Sequence, residues 1–171
     1  MGFSPSEYVR RTRRNHAIEH ATIHVLAARR PGLRMAGRSD AGGFVLYGNV
    51  ATDDLRAAAE EAVARLDDEP SLAVHPHCGT NTVVTGLLSG FVAFLVTMAL
   101  TRGRRSADPF TALPRLLTAG VLSAAVGQPL GPWAQQHLTT LSAVRGARIA
   151  GVEEVGRPGR PLHRVRVTEA T

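Results

Sequence analysis

Hydrophobic and polar positions mix at short range from residue 1 to about 80, then segregate sharply. No Asp, Glu, Lys or Arg occurs from Gly79 to Thr101, nor again from Leu116 to Val144. Charge-free apolar runs of about 18 residues or more are the usual mark of a membrane-spanning helix. The pattern therefore predicts an α+β head over residues 1–80 and two transmembrane helices, at about 82–101 and 114–133, forming a hairpin within residues 81–140. A polar tail over residues 141–171 completes it and reads as a short β-hairpin.

Within the head, Ser4 or Ser6 is placed to cap a helix that runs to about Ala28 and stops at Arg29-Arg30-Pro31-Gly32. Leu33 to Gly37 and Gly43 to Gly48 read as short strands joined by the turn-rich Arg38 to Gly42. Thr52 is the expected cap of a second helix, whose Leu55, Ala58, Ala59, Ala62, Val63 and Leu66 recur at helical spacing. Ser71 to His75 reads as a third strand, leading into the first apolar run. In the tail, Ala147 to Val155 and Leu162 to Thr168 flank the turn signal Arg157-Pro158-Gly159-Arg160.

Charge adds a partner to this picture. The formal net charge is +6, and every basic residue besides histidine is arginine. Arg10, Arg11, Arg13 and Arg14 stand without interleaved aromatics or a nucleic-acid motif, so no nucleic-acid partner is expected. Attraction to anionic headgroups of a lipid bilayer is the simpler expectation beside two apolar runs. The first residues have no apolar stretch of the signal-peptide kind. Together these features predict a multi-pass protein of the cell membrane with a cytoplasmic head, although Arg102, Arg104 and Arg105 between the runs argue for the opposite orientation. Protein partners and a homo-oligomeric state are left open.

The candidate chemistry lies in the head. His16 and His20 are four residues apart on the first helix, so their imidazoles share a face and can converge on one ion. Glu19 completes an H-x-x-E-H arrangement, the pattern of inverted zinc peptidases, in which the histidines hold the ion and the glutamate is the general base. His24 extends the row by a turn. A hydrogen-bonded or solvated histidine face would have the same spacing. The segment His75-Pro76-His77-Cys78 then concentrates further ligand types, including the sole cysteine of the chain. One mixed site of His16, His20, His75 and Cys78 accounts for both clusters, with zinc the first expectation for imidazole and thiolate donors and iron the alternative. His77 and His137 are further candidates without a fixed role.

The two motifs, H-x-x-E-H on a first helix and H-P-x-C-G-T ahead of an apolar run, resemble the bacterial YqhQ-like membrane proteins. They are also similar to a shorter family of unknown function. The resemblance covers about residues 15–100 and implies a metal-dependent enzyme using His16, Glu19, His20, His75 and Cys78. Two classes of function remain. One is a metal-dependent hydrolase with Glu19 as catalytic base. The other is a non-catalytic scaffold or metal-handling protein with a structural His/Cys site. Ligand count separates them, because structural zinc sites are closed by four protein donors and catalytic ones keep a position open.

Overall fold

A computed structural model describes residues 4–75, 78–101, 109–156 and 161–169. The chain divides into two units, residues 1–75 with 136–171, and residues 76–135.

The first unit is built on a long helix, α1, Pro5–Arg29. Ser4 caps it by accepting from the Glu7 backbone N–H, Pro5 stands in the first turn, where its missing N–H costs nothing, and Arg29 lies in the last turn. Arg30 N–H closes on the Leu26 carbonyl before Pro31-Gly32 breaks the chain direction. A second helix, α2, Thr52–Leu66, buries Leu55, Ala58, Ala59, Ala62 and Leu66, the residues that helical spacing places on one face.

These helices pack with a four-stranded antiparallel sheet of order β1-β2-β4-β3. Its strands are β1, Ala36–Asp40, β2, Gly43–Tyr47, β3, Ala147–Glu154, and β4, Leu162–Glu169. Alternation turns Phe44 and Leu46 of β2, and His163, Val165 and Val167 of β4, inward, whereas Arg164 and Arg166 are less buried. Ile18, Leu26, Leu55 and Leu66 complete the same apolar cluster. Gly43 is required where β2 meets β4: its φ is 141°, and a Cβ there would stand 2.0 Å from the Val165 carbonyl oxygen.

Ion pairs tie the ends of this unit together. Glu169 of β4 accepts from Arg10, Arg11 and Arg14, and Arg14 is almost fully buried. The hydrogen bond from Arg10 is the largest cause holding the Glu169 carboxyl below its ordinary value; the positive charges of Arg14 and Arg11 act in the same direction. Glu7 is drawn down to about 2 by its bonds from Arg10 and then Arg11. Arg10, Arg11 and Arg14 are thus engaged with carboxylates of their own chain.

Several expectations are corrected. The transmembrane hairpin is not found: among the described residues, no helix is long and apolar enough to cross a membrane. The expected fold class and the multi-pass cell-membrane location fall with it. Charge-free is not the same as continuously apolar, since Thr82, Thr85, Gly86, Ser89 and Gly90 interrupt the first run, and Thr118, Gly120, Ser123 and Gly127 the second. The two runs form helices α3, Gly79–Thr101, and α4, Pro109–Ala134, that pack against each other within the second unit.

The third strand is also absent. Pro70–Ala73 form a 3₁₀ turn, closed by Leu72 N–H to Glu69 O and Val74 N–H to Ser71 O. Proline at its start offers no ladder donor, which favours this turn over a strand. The cap of α2 is Ala51, with Thr52 its first helical residue. The strand expected at residues 33–37 begins instead at Ala36. The tail residues form β3 and β4 and join the head sheet, β4 lying between β2 and β3. The turn at 157–160 and most of the polar loop at 102–110 lie outside the described residues.

Candidate metal centre

Helix α1 presents His16, His20 and His24 at four-residue steps, so the three rings rise along one side of it. Each ring is fixed by a backbone carbonyl. His16 Nδ1 meets Thr139 O at 3.1 Å, His20 Nδ1 meets Ala73 O at 2.7 Å, and His24 Nε2 meets Val74 O at 2.9 Å. A carbonyl oxygen only accepts, so the ring nitrogen in each pair carries the proton. His16 and His20 therefore donate through Nδ1–H, and their Nε2 lone pairs are directed away from those bonds. This is how metal-binding imidazoles are ordinarily held and their tautomer set. His24 has the opposite assignment: its Nε2 holds the segment after the 3₁₀ turn.

The carbonyls are themselves anchored. Arg13 donates to His137 O at 2.8 Å and to Thr140 O at 3.1 Å, and Leu141 N–H returns to Arg13 O at 3.1 Å. These bonds fix the residues on either side of Thr139 against α1. The 3₁₀ turn fixes Ala73 and Val74 in the same way.

The His16 and His20 rings meet edge-on with centroids 4.2 Å apart. The His75 ring stands 5.9 Å from that of His20 and 5.0 Å from that of His24. Cys78 follows His75 by three residues, so chain length alone keeps it within about 10 Å of that cluster. Among the described residues, His16, His20 and Cys78 each offer one ligand atom, and these atoms all lie within 4.8 Å of one another. Bonds of about 2.0–2.3 Å to a tetrahedral ion would set such donors roughly 3.5 Å apart. The group could hold a metal ion.

The other described candidates are not members of this group. His75 lies beside it and is not one of the three. His77 is outside the described residues. His137 is exposed, and its carbonyl accepts from Arg13. Glu19 is buried at 3% exposure, and its Oε2 accepts from Ser39 Oγ at 2.6 Å.

Sequence reasoning placed Gly37 at the end of a strand and Ser39 in the turn-rich segment after it, with no site role for either. In the fold a Cβ on Gly37 would stand 2.2 Å from Glu19 Oε1. No local signal reveals such a contact, because it forms only when β1 packs on α1.

A family model described as a domain of unknown function (DUF6391) matches residues 11–152. The chain belongs to that family. An uncharacterised protein of the cyanobacterium Picosynechococcus sp. (strain ATCC 27264 / PCC 7002 / PR-6) is 36% identical over 165 residues, covering 91% of this chain and 78% of the relative. No solved structure matches. Membership of DUF6391 agrees with the coarser half of the resemblance drawn from the motifs, a family of unknown function. The comparisons do not extend to the YqhQ-like proteins. The matched stretch contains all three residues of the candidate ligand group.

Proposed function

We propose that this protein is a metal-dependent hydrolase whose ion, zinc first and iron as the alternative, is held by His16, His20 and Cys78. The observation that carries the reading is that, among the described residues, three ligand atoms gather within 4.8 Å of one another; three protein donors would leave a tetrahedral ion one position for water or substrate. Two imidazoles presenting Nε2 and one thiolate suit zinc. The YqhQ-like motif pattern, in proteins described as predicted metal-dependent enzymes, points the same way.

A bound zinc ion would act as a Lewis acid and make a water molecule more acidic. The chain's own residues divide the remaining work. His16 and His20 are oriented by Thr139 and Ala73, which limits the rearrangement needed on binding. Glu19, one residue before His20, receives the proton released by water and passes it to the leaving group.

A second reading is favoured by His75, whose ring is 5.9 Å from that of His20. A modest movement would let it close the site as a fourth donor, giving a structural centre in a scaffold or metal-handling protein. The experiment compares the full chain stripped by chelator with the same chain reloaded with zinc, on a panel of activated esters and amides. Turnover that vanishes on stripping and returns on reloading is expected. A fully reloaded chain that turns over nothing in the panel would favour the structural centre.

A further inference from the structure

We propose that Gly37 and Ser39 on β1 are positioning residues that hold the Glu19 carboxylate in its working orientation; the inference rests on the base role proposed above. Both residues lie on β1, two positions apart, in register with the buried Leu46 and Phe44; Ser39 is half-buried and Gly37 exposed. Ser39 Oγ–H donates to Glu19 Oε2 at 2.6 Å. On the other side, the position of a Gly37 Cβ lies 2.2 Å from Oε1 and 2.5 Å from Cδ. The carboxylate therefore rests across the bare strand backbone, with Oε2 bonded to Ser39 and Oε1 beside Gly37.

Glycine at position 37 has no backbone explanation. Among the described residues the glycines with positive φ are Gly32, Gly43, Gly48 and Gly146, and Gly37 is not among them. A glycine inside a strand ordinarily weakens it and often marks a close approach. Here the close approach is the Glu19 side chain. The Ser39 hydroxyl orients the carboxylate through a neutral donor. β1 is fixed on α1 by Asn15 Nδ2 donating to Asp40 O at 2.8 Å, and Asp40 is gripped from β4 by Arg164.

The test loads the full chain with cobalt(II) in place of zinc, since cobalt absorbs visibly and its spectrum reports its surroundings. Ser39→Ala, Ser39→Thr, Gly37→Ala and Glu19→Gln are compared for cobalt stoichiometry, visible spectrum and turnover on the ester and amide panel. Ser39→Ala is expected to keep its cobalt and lose about 10–100-fold in kcat with little change in KM. Its spectrum should shift in the same sense as that of Glu19→Gln, and Ser39→Thr, which keeps the hydroxyl, should restore both. Gly37→Ala should approach Glu19→Gln. Should it fail to fold, the Ser39→Ala and Ser39→Thr pair decides alone. Wild-type spectrum and turnover in Ser39→Ala, beside a clear loss in Glu19→Gln, would overturn the positioning role and leave the base reading standing. Unchanged behaviour of Glu19→Gln itself would remove both. If no substrate in the panel is turned over, the spectra decide by the same pattern.

Discussion

Cys78→Ala is expected to lose its metal, from about one ion per chain to a small fraction, while its fold survives. Cys78 is only partly buried, so removing its thiol leaves no large cavity. It does remove the sole thiolate donor of the three-residue group. Substitutions one step removed from an ion weaken binding by about 10–100-fold, and loss of a donor from a set of three should exceed that. His20→Ala should be as damaging to binding but also to stability. His20 is buried, and its Nδ1 bonds the Ala73 carbonyl at 2.7 Å. Leaving that carbonyl unsatisfied costs about 1–3 kcal/mol even without metal. Elemental analysis with a thermal melt separates the two effects. Unchanged metal content in both variants would mean that the histidine row serves hydrogen bonding alone.

Glu19→Gln should behave in the opposite way, keeping its metal while losing about 10²–10⁴-fold in turnover. Glutamine preserves the size of the side chain and can still accept from Ser39 Oγ–H through its amide oxygen. What it lacks is a basic carboxylate. The amide NH₂ would also face the Gly37 backbone at a closeness that already excludes a Cβ, so a small loss of stability is expected beside the large loss of rate. The structural reading predicts another pattern. If Glu19 only orients a ligand, the variant should lose metal and stability together. Metal content, melting temperature and turnover measured on one preparation distinguish the two.

Local chemistry made part of this arrangement readable in the sequence. Ser4, Pro5 and Glu7 announce the start of α1, and Arg29 to Gly32 announce its end, because capping depends on neighbouring residues only. The four-residue spacing of His16 and His20 fixes a shared helix face for the same reason. What failed depended on tertiary context or on reading one property as another. Lack of charge around Leu87 and Val121 suggested membrane spans, although no described helix qualifies. Ser71 to His75 has a strand-like composition, but its i→i+3 bonds close a 3₁₀ turn, whose exit presents the carbonyls of Ala73 and Val74 to α1. The order of β4 between β2 and β3 follows from long-range pairing that no short window contains. Gly37 read as the end of a strand, and nothing near it in sequence showed that a Cβ there would stand 2.2 Å from Glu19 Oε1.

The most direct measurement is X-ray absorption at the zinc edge on the reloaded full chain. One sulfur at about 2.3 Å, two imidazole nitrogens at about 2.0 Å and one further light atom are predicted, with the sulfur lost in Cys78→Ala. A shell without sulfur, or one holding three imidazoles and a sulfur, would contradict an open site built on His16, His20 and Cys78.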